Sequence, residues 1–347
     1  AFEGCSSLAN AKIGDSVKTV GVEAFRSCAS LTTVALPEGL ETLGEGCFAW
    51  CTSLARIVIP DSVTLIDRTT FQACTSLKHV SLPSRLESIG WRAFYGCDGL
   101  DEILLPTTVR EIVASAFGAC ANLLSINVEA TNEVYASHDG VLFNKSLARL
   151  ITYPGGKAGT YEIPPRVHTI GHYAFYGCAK LTSISIPQTV TNLENGAFDS
   201  CNGLTSVNIP DNVLNIGESA FTGCGCLFDV SLPNRLARIA DGTFSNCISL
   251  ASMEIPSTVK HIGQGAFVGC ESLHNITIPH SVENIAPLAF LDCKNLINVT
   301  LLNRATTIGR GAFAGCPGVS DHFDVPRQQK AAAKESFFSR LFQVPPA

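Results

Sequence analysis

"GAFVGCESLHNITIPHSVENI", residues 265–285, decides the fold, because "GAFDSCNGLTSVNIPDNVLNI", residues 196–216, repeats nearly all of its apolar positions. The two stretches share Gly-Ala-Phe, a Cys three residues after the Phe, and an Ile-Pro pair that is followed by Val and then Ile. Similarity at a fixed period is typical of repeat proteins, in which each unit packs on its neighbours. The fold therefore follows from one unit and from the number of its copies.

A phenylalanine marks each unit at intervals of 23 residues, and the series is interrupted once, between Phe117 and Phe175. A Cys stands three residues after each Phe, and a Leu stands six residues after it except in the last unit, where Val319 takes its place. The thirteen phenylalanines are Phe2, Phe25, Phe48, Phe71, Phe94, Phe117, Phe175, Phe198, Phe221, Phe244, Phe267, Phe290 and Phe313. These columns predict about thirteen equivalent coils.

Each unit contains one short strand and one compact turn segment. Ile276 and Ile278 alternate with polar residues and are followed by Pro279, a pattern that predicts a half-buried strand. Since Pro lacks an N–H group and fixes φ, we expect every strand to end at the same level. The segment Gly-x-x-Ala-Phe-x-x-Cys, as in Gly263–Cys270, predicts about two helical or 3₁₀ turns with one face inward.

These elements predict an α/β repeat solenoid. A single unit buries too few apolar side chains to offset the conformational entropy of ordering 23 residues, so neighbouring units must stack. We expect a right-handed superhelix of about thirteen 23-residue units with a parallel sheet on its concave face.

The composition argues against several classes of function. The net charge is −6 and the Lys and Arg residues are scattered, which argues against a nucleic-acid partner. No apolar run of 18 residues predicts a transmembrane segment. The sequence has no HExxH, Gly-x-Ser-x-Gly or Walker A motif. We therefore predict no catalytic residue, no cofactor and no metal ligand, and hence no enzyme.

The motif resembles a known family. The run Ala-Phe-x-x-Cys-x-x-Leu-x-x-Ile-x-Ile-Pro-x-x-Val-x-x-Ile at Ala266–Ile285 is similar to the BspA-like class of leucine-rich repeats, also called the Treponema pallidum type, and the similarity extends over residues 1–316. The resemblance implies a leucine-rich repeat superhelix without catalytic residues. It also implies an extracellular or cell-surface protein that acts in adhesion and binds matrix or host proteins. We predict a non-enzymatic scaffold that binds other proteins through its solenoid surface. A cell-surface adhesin that binds host or matrix proteins is the first alternative, and a structural subunit of an intracellular assembly is the second.

The interruption between Phe117 and Phe175 is one unit of 23 residues plus 35 more. Residues 141–143 and 150–153 read as two strands around a polar turn at 144–146, which predicts an inserted hairpin. The resemblance to the BspA-like class also implies such a unit, because arrays of that class often carry an enlarged one. The predicted organisation is repeat units 1–6 in 1–128, beginning within a repeat, an enlarged unit in 129–164, units 7–13 in 165–326, and a C-terminal segment in 327–347.

The Cys column is interpreted as a set of small buried hydrophobic side chains, because its members are spread along the array instead of meeting at one metal site. Cys47 and Cys226 stand outside the column and carry only a weak signal for redox or metal chemistry. The predicted structural core consists of the Phe, Cys and Leu columns, represented by Phe25, Cys28, Leu31, Phe94, Cys97, Leu100, Phe198, Cys201, Leu204, Phe267, Cys270 and Leu273.

The outward positions of the strands are the candidate partner-binding site, because packing leaves them free to vary. The N-terminal half mixes apolar and charged residues there, while the C-terminal half carries mostly hydroxyl and amide groups. We predict a protein or peptide ligand, or a glycan, that contacts Arg56, Val58, His79, Ser81, Glu102, Leu104, Asp229, Glu254, Asn275 and Thr277. The alternative is that these polar residues only keep the sheet in solution.

Two further features leave alternatives open. Trp50, Trp91, Tyr95, Tyr173 and Tyr176 lie beside the Phe and Cys columns and form either a contact patch or packing between layers. The C-terminal segment reads as a helix that caps the last layer, or that docks to a larger complex or a membrane surface. In the docking interpretation its contact residues are Phe337, Phe338, Leu341 and Phe342.

Overall fold

The computed structural model describes residues 1–319, which contain 27 strands and no helix. The chain divides into two compact units. Among the described residues, the first unit comprises Ala1–Gly159 with Ile170–Lys180, and the second comprises Thr160–Thr169 with residues 181–319. The tail residues Phe337, Phe338, Leu341 and Phe342 lie outside the described residues.

Most coils contribute two short strands. The major strand follows the Leu of the coil, and the minor strand, of two residues, precedes the next Phe. The strands of the first unit are β1 (Asn10–Lys12), β2 (Thr19–Val20), β3 (Thr33–Ala35), β4 (Thr42–Leu43), β5 (Arg56–Val58), β6 (Leu65–Ile66), β7 (His79–Ser81), β8 (Ser88–Ile89), β9 (Glu102–Leu105), β10 (Glu111–Ile112), β11 (Ser125–Val128), β12 (Tyr135–His138), β13 (Val141–Asn144) and β14 (Arg149–Thr152).

The remaining strands follow the same alternation, and two of them, β15 and β16, include residues of both units. They are β15 (Gly159–Glu162), β16 (Thr169–Ile170), β17 (Leu181–Ser185), β18 (Asn192–Leu193), β19 (Ser206–Asn208), β20 (Asn215–Ile216), β21 (Asp229–Ser231), β22 (Arg238–Ile239), β23 (His261–Ile262), β24 (Asn275–Ile278), β25 (Asn284–Ile285), β26 (Asn298–Leu301) and β27 (Thr307–Ile308).

The predicted parallel pairing is confirmed, and its register follows the 23-residue period. Arg56 lies opposite His79 in β5 and β7, and Asn275 lies opposite Asn298 in β24 and β26. The major strands of the first unit pair as doublets, β1 with β3, β5 with β7, and β9 with β11. Residues 251–256 contain no strand, although their sequence has the same alternation. The sheet is therefore interrupted, whereas the sequence predicts a continuous one.

The minor strands form a second parallel array. In the first unit β2, β4, β6, β8 and β10 pair in order, and in the second unit β22, β23, β25 and β27 do so. Leu43 lies opposite Ile66, which in turn lies opposite Ile89, and all three side chains are buried. Each coil is thus held to its neighbours on two sides of the core.

The turn segments around each Phe are not helical, which corrects the prediction of helical or 3₁₀ turns. Within residues 21–28 alternate amides donate to the carbonyl three residues earlier, as Cys28 does to Phe25 at 3.1 Å. The intervening amides donate to the next coil, as Phe25 does to Cys47 at 2.8 Å. Glu23 and Ser27 have φ values of 53° and 60°, in the left-handed region. A right-handed helix cannot continue through such residues, so a chain of tight turns results.

The Phe column forms a continuous stack inside each unit. In the first unit the ring of Phe71 lies 5.7 Å from that of Phe48 and 5.3 Å from that of Phe94, with nearly parallel planes. In the second unit the ring centroids of Phe267 and Phe290 are 4.9 Å apart. All twelve residues chosen to represent the core are buried. The aromatic, thiol and aliphatic columns therefore form one interior per unit.

The Cys column has a polar role that the sequence does not reveal. Most buried thiols of the Cys column donate a hydrogen bond to the carbonyl of the Phe 26 residues earlier, as Cys51 does to Phe25 at 3.1 Å and Cys270 does to Phe244 at 3.1 Å. Burial raises the pKa of the Cys51 thiol to about 12 and that of Cys270 to about 12. The thiols therefore stay protonated and join neighbouring coils.

The enlarged coil between β11 and Phe175 keeps the columns in place. Here β12, β13 and β14 pair as an antiparallel meander, and Tyr153 stacks on Phe175 at 5.0 Å as a phenylalanine does elsewhere. The Asn132 side chain is fully buried and donates to the carbonyls of Pro106 and Val109 at 3.0 Å. Its Oδ1 accepts from the amides of Val134 and Tyr135. This one side chain ties the insertion to the preceding coil.

Gly90, four residues before Phe94, is a position where we expect any side chain to destabilise the fold. A Cβ there would lie 2.6 Å from the amide nitrogen of Arg68 and 2.8 Å from the carbonyl carbon of Asp67, both backbone atoms of the preceding coil. Gly90→Ala should lower the free energy of unfolding by about 1–3 kcal/mol. Urea denaturation followed by circular dichroism measures the change.

Gly21 supplies the matched control for this prediction, because it stands at the same position before Phe25 with no atom within 4 Å of its added Cβ. Neither glycine has a left-handed φ. Gly21→Ala should be neutral or stabilise by about 0.4–1 kcal/mol through the unfolded state. If the two substitutions changed the free energy of unfolding equally, the close approach of the coils at Gly90 would not be the cause of the destabilisation.

Candidate partner-binding face

The major strands of the first unit present two outward columns of side chains. In β5 Arg56 and Val58 are exposed while Ile57 between them is buried. The register of β5 and β7 places His79 beside Arg56 and Ser81 beside Val58. We call this surface the sheet face of the first unit, and define it by Arg56, Val58, His79, Ser81, Glu102 and Leu104, all exposed.

Apolar groups on this face are open to solvent. Val58 is 67% exposed and Leu104 is 55% exposed. A cavity of about 630 Å³ lies where the pairing between β3 and β5 is interrupted, and Val34, Ile57 and Arg56 contribute to its lining. Its volume lies within the range of small-ligand pockets and is large enough for one or two peptide side chains. The face therefore offers an apolar surface with a charged group at its edge.

The charges of the sheet face are not neutralised within the described part of the chain. On other surfaces of the first unit, opposite charges on neighbouring coils pair, as Lys18 does with Glu41 at 2.9 Å and Arg68 does with Glu45 at 2.7 Å. The side chains of Arg56, His79 and Glu102 make no ion pair or hydrogen bond with any residue in 1–319. These groups remain available to a partner.

The other four predicted binding residues lie in the second unit. Asp229, Asn275 and Thr277 are exposed on β21 and β24, and Glu254 is exposed in the stretch without a strand. The Asn275 Oδ1 accepts a hydrogen bond from the Asn298 amide at 2.7 Å. This face is therefore less charged than that of the first unit, and its amide groups partly satisfy one another.

A cluster around Arg92 lies in the turn segments of the first unit. The Arg92 guanidinium carbon is 4.4 Å from the centroid of the Trp91 ring, 4.7 Å from that of Tyr95 and 5.8 Å from that of Tyr176. The ring of Tyr173 meets Tyr176 edge-on at 5.6 Å. We call these five side chains the aromatic cluster. The sequence draws attention to its aromatic members, but not to Arg92.

The glycine between the two tyrosines explains how the cluster forms. Tyr95, Gly118 and Tyr176 each follow the Phe of their coil, and the coils are consecutive apart from the insertion. A Cβ on Gly118 would lie 2.7 Å from the Tyr176 ring, so the absence of a side chain there lets that ring extend toward Tyr95. The rings of Tyr95 and Tyr176 consequently lie 5.7 Å apart although they are 81 residues apart in sequence.

Within residues 1–319, no group of three or more His, Cys, Asp or Glu side chains is arranged to hold a metal ion. The same residues include no helix that is long and apolar enough to cross a membrane.

The sequence matches the family model described as the BspA type leucine rich repeat region, with six copies over residues 1–139, 155–247 and 215–341. No curated protein matches the chain.

Similar solved structures include three bacterial repeat proteins. A leucine-rich repeat protein from Eubacterium ventriosum has a TM-score of 0.75 and 24% identity, over 92% of this chain and 85% of its own. A leucine-rich cell surface protein from Faecalibacterium prausnitzii has a TM-score of 0.64 and 31% identity, over 86% and 82%. A leucine-rich repeat protein from Bacteroides ovatus has a TM-score of 0.52 and 30% identity, over 90% and 85%.

Proposed function

The chain belongs to the BspA type leucine-rich repeat family, and from that premise we propose that it is a non-enzymatic scaffold that binds a protein or peptide through the sheet face of its first unit. The observation that carries the proposal is the set of unneutralised charges on that face, since several charges on other surfaces of the unit pair between coils. The same face also exposes the apolar side chains of Val58 and Leu104, which do not increase solubility and are typical of a binding surface.

The arrangement suits an extended segment that crosses the major strands. Parallel strands lie about 4.8 Å apart, so successive coils present contacts at a regular interval. Arg56 and Glu102 stand two coils apart and have opposite charge, which favours a segment with an acidic group near the first and a basic group near the second. Burial of Val58 and Leu104 by the partner would add a hydrophobic contribution.

Replacing Arg56, His79 and Glu102 together by Ala should weaken binding by roughly 100-fold, because three contacts worth about 1 kcal/mol each are removed. The probe is a set of dodecapeptides selected on the wild-type chain from a random phage library, with affinity measured by fluorescence polarisation. The three side chains make no hydrogen bond or ion pair within the described residues, so the melting temperature should change little.

The matched control replaces Ser206, Asn208 and Ser231 by Ala on the major strands of the second unit. It should leave the affinity of the same peptides unchanged. If the triple variant of the first unit binds as the wild type does, the site lies elsewhere.

A second candidate function is adhesion at a cell surface to host or matrix proteins. The similarity to the Faecalibacterium protein, which is described as a cell surface protein, supports it. Antibody labelling of intact cells and binding to purified matrix proteins test this proposal. If the triple variant of the sheet face no longer binds the matrix proteins, the sheet face is itself the adhesive surface and both candidate functions hold.

A further inference from the structure

We propose that the aromatic cluster is a second docking site, which takes an acidic side chain of a protein partner between Arg92 and the tyrosine hydroxyls. The cluster belongs to the turn segments and shares no residue with the sheet face of the first unit. It therefore adds an interaction surface beyond the proposed function.

The first argument is that the Arg92 guanidinium lacks a carboxylate. Arg26 and Arg68, in turn segments of other coils of the same unit, pair with Glu23 and Glu45. Arg92 has no acidic partner in residues 1–319, and its Nη2 makes only a long hydrogen bond of 3.4 Å to the Tyr176 hydroxyl. Its Nε is buried without an acceptor. The cation is thus fixed in place with donor capacity unused.

The second argument concerns which ligand charge fits. The faces of aromatic rings attract cations, and here the rings of Trp91, Tyr95 and Tyr176 already surround the cation of Arg92. A ligand ammonium group would be repelled by that charge. A carboxylate matches the planar guanidinium and accepts two parallel hydrogen bonds from it.

The third argument is the composition and preorganisation of the cluster. Trp, Tyr and Arg are the residues that most often dominate binding energy at protein interfaces, because they combine large contact area with few rotatable bonds. All five side chains are half-buried, and the hydroxyls of Tyr95 and Tyr176 lie 3.5 Å apart beside the guanidinium. A partner would therefore meet a surface that is already ordered.

The experiment uses the full chain and pairs of fluorescent dodecapeptides that differ only in Glu or Gln at one central position. We expect the wild type to bind Glu peptides at least 10-fold more tightly than their Gln counterparts. Arg92→Gln should remove that preference. Arg92→Lys should retain only part of it, since Lys lacks the bidentate fork. Tyr176→Phe keeps the ring and should lower Glu-peptide affinity about 3-fold.

The control is Arg68→Gln, which removes an arginine that already pairs with Glu45 and should leave the Glu preference intact. Equal binding of Glu and Gln peptides by the wild type would overturn the proposal, whether or not the variants fold. It would also be overturned if Arg92→Gln folded and kept the preference, or if inorganic phosphate at millimolar concentration displaced every peptide, since the site would then be a phosphate site. If the triple variant of the sheet face loses Glu-peptide binding while Arg92→Gln retains it, the peptides bind at the sheet face. That result would support the proposed function and overturn the proposal for the aromatic cluster.

Discussion

Raising the pH from 8 to 10.5 is expected to unfold the chain. Burial raises the pKa of ten interior thiols above their ordinary value of 9.0, although for Cys293 a hydrogen bond with Cys316 contributes most. They are Cys28, Cys47, Cys51, Cys74, Cys97, Cys120, Cys178, Cys247, Cys270 and Cys293. The unfolded chain releases these protons near pH 9, whereas the folded chain keeps them. Stability is therefore fully present below pH 9 and is lost as the pH rises toward about 12.

The expected loss is large because the thiols act together. Above pH 9 each of these thiols favours the unfolded state, where it can ionise, and the contributions of the separate thiols add. An ordinary domain is stable by only about 5–15 kcal/mol, so a contribution from every coil is enough to unfold it. Circular dichroism melting curves between pH 7 and pH 10.5 measure the effect.

Iodoacetamide labelling followed by mass spectrometry gives an independent readout of the same transition. Cys5 and Cys226 are exposed and should react in the native state, while the other thirteen thiols should react only on unfolding. Cys97→Ala should reduce the slope of stability against pH by one proton. A melting temperature that stays constant to pH 10.5 would contradict the assignment of the thiols as structural hydrogen-bond donors.

Phe71→Ala is expected to destabilise the first unit by about 3–5 kcal/mol. The Phe71 ring is completely buried and stacks on Phe48 and on Phe94, so its removal loses the transfer free energy of the ring and leaves a cavity in the middle of the column. Urea denaturation should also become less cooperative, because each coil contacts only its neighbours and the coupling between the two halves of the stack weakens.

Lys78→Ala is the control, since Lys78 is exposed and its side chain makes no hydrogen bond or ion pair within the described residues. It should change stability by less than about 0.5 kcal/mol. Phe71→Leu should have an intermediate effect because it keeps part of the volume. A loss below 1 kcal/mol for Phe71→Ala would mean that the stack relaxes around the gap and does not fix the spacing of the coils.

The period of the sequence was enough to predict the parallel coils, because the Phe, Cys and Leu columns recur in every unit and can be buried only by stacking. The turn segments could not be predicted in the same way. Their backbone is left-handed at Thr69, Arg92 and Leu288, residue types that do not favour that conformation. Hydrogen bonds to the next coil impose it, and single-sequence patterns carry no record of those bonds.

The candidate sites could also be predicted from the sequence only in part. The outward direction of Arg56 and Val58 follows from the alternation of a strand, so the sequence predicts it. The contact between Arg92 and Tyr176 depends on the absence of a side chain at Gly118 and on coils that stay stacked across the insertion, although 84 residues separate the two side chains. The pairing of major strands into doublets likewise has no counterpart in the strand sequences.

The bonding between coils also determines how the protein would respond to a pulling force. Successive coils are joined by hydrogen bonds between backbone groups, such as that from the Phe25 amide to the Cys47 carbonyl. They are also joined by hydrogen bonds from thiols, such as that from Cys51 to the Phe25 carbonyl. A load applied along the array would open these bonds one coil at a time, and each opened coil of 23 residues releases up to about 80 Å of chain. The array would thus lengthen in steps and take up work with each coil that opens.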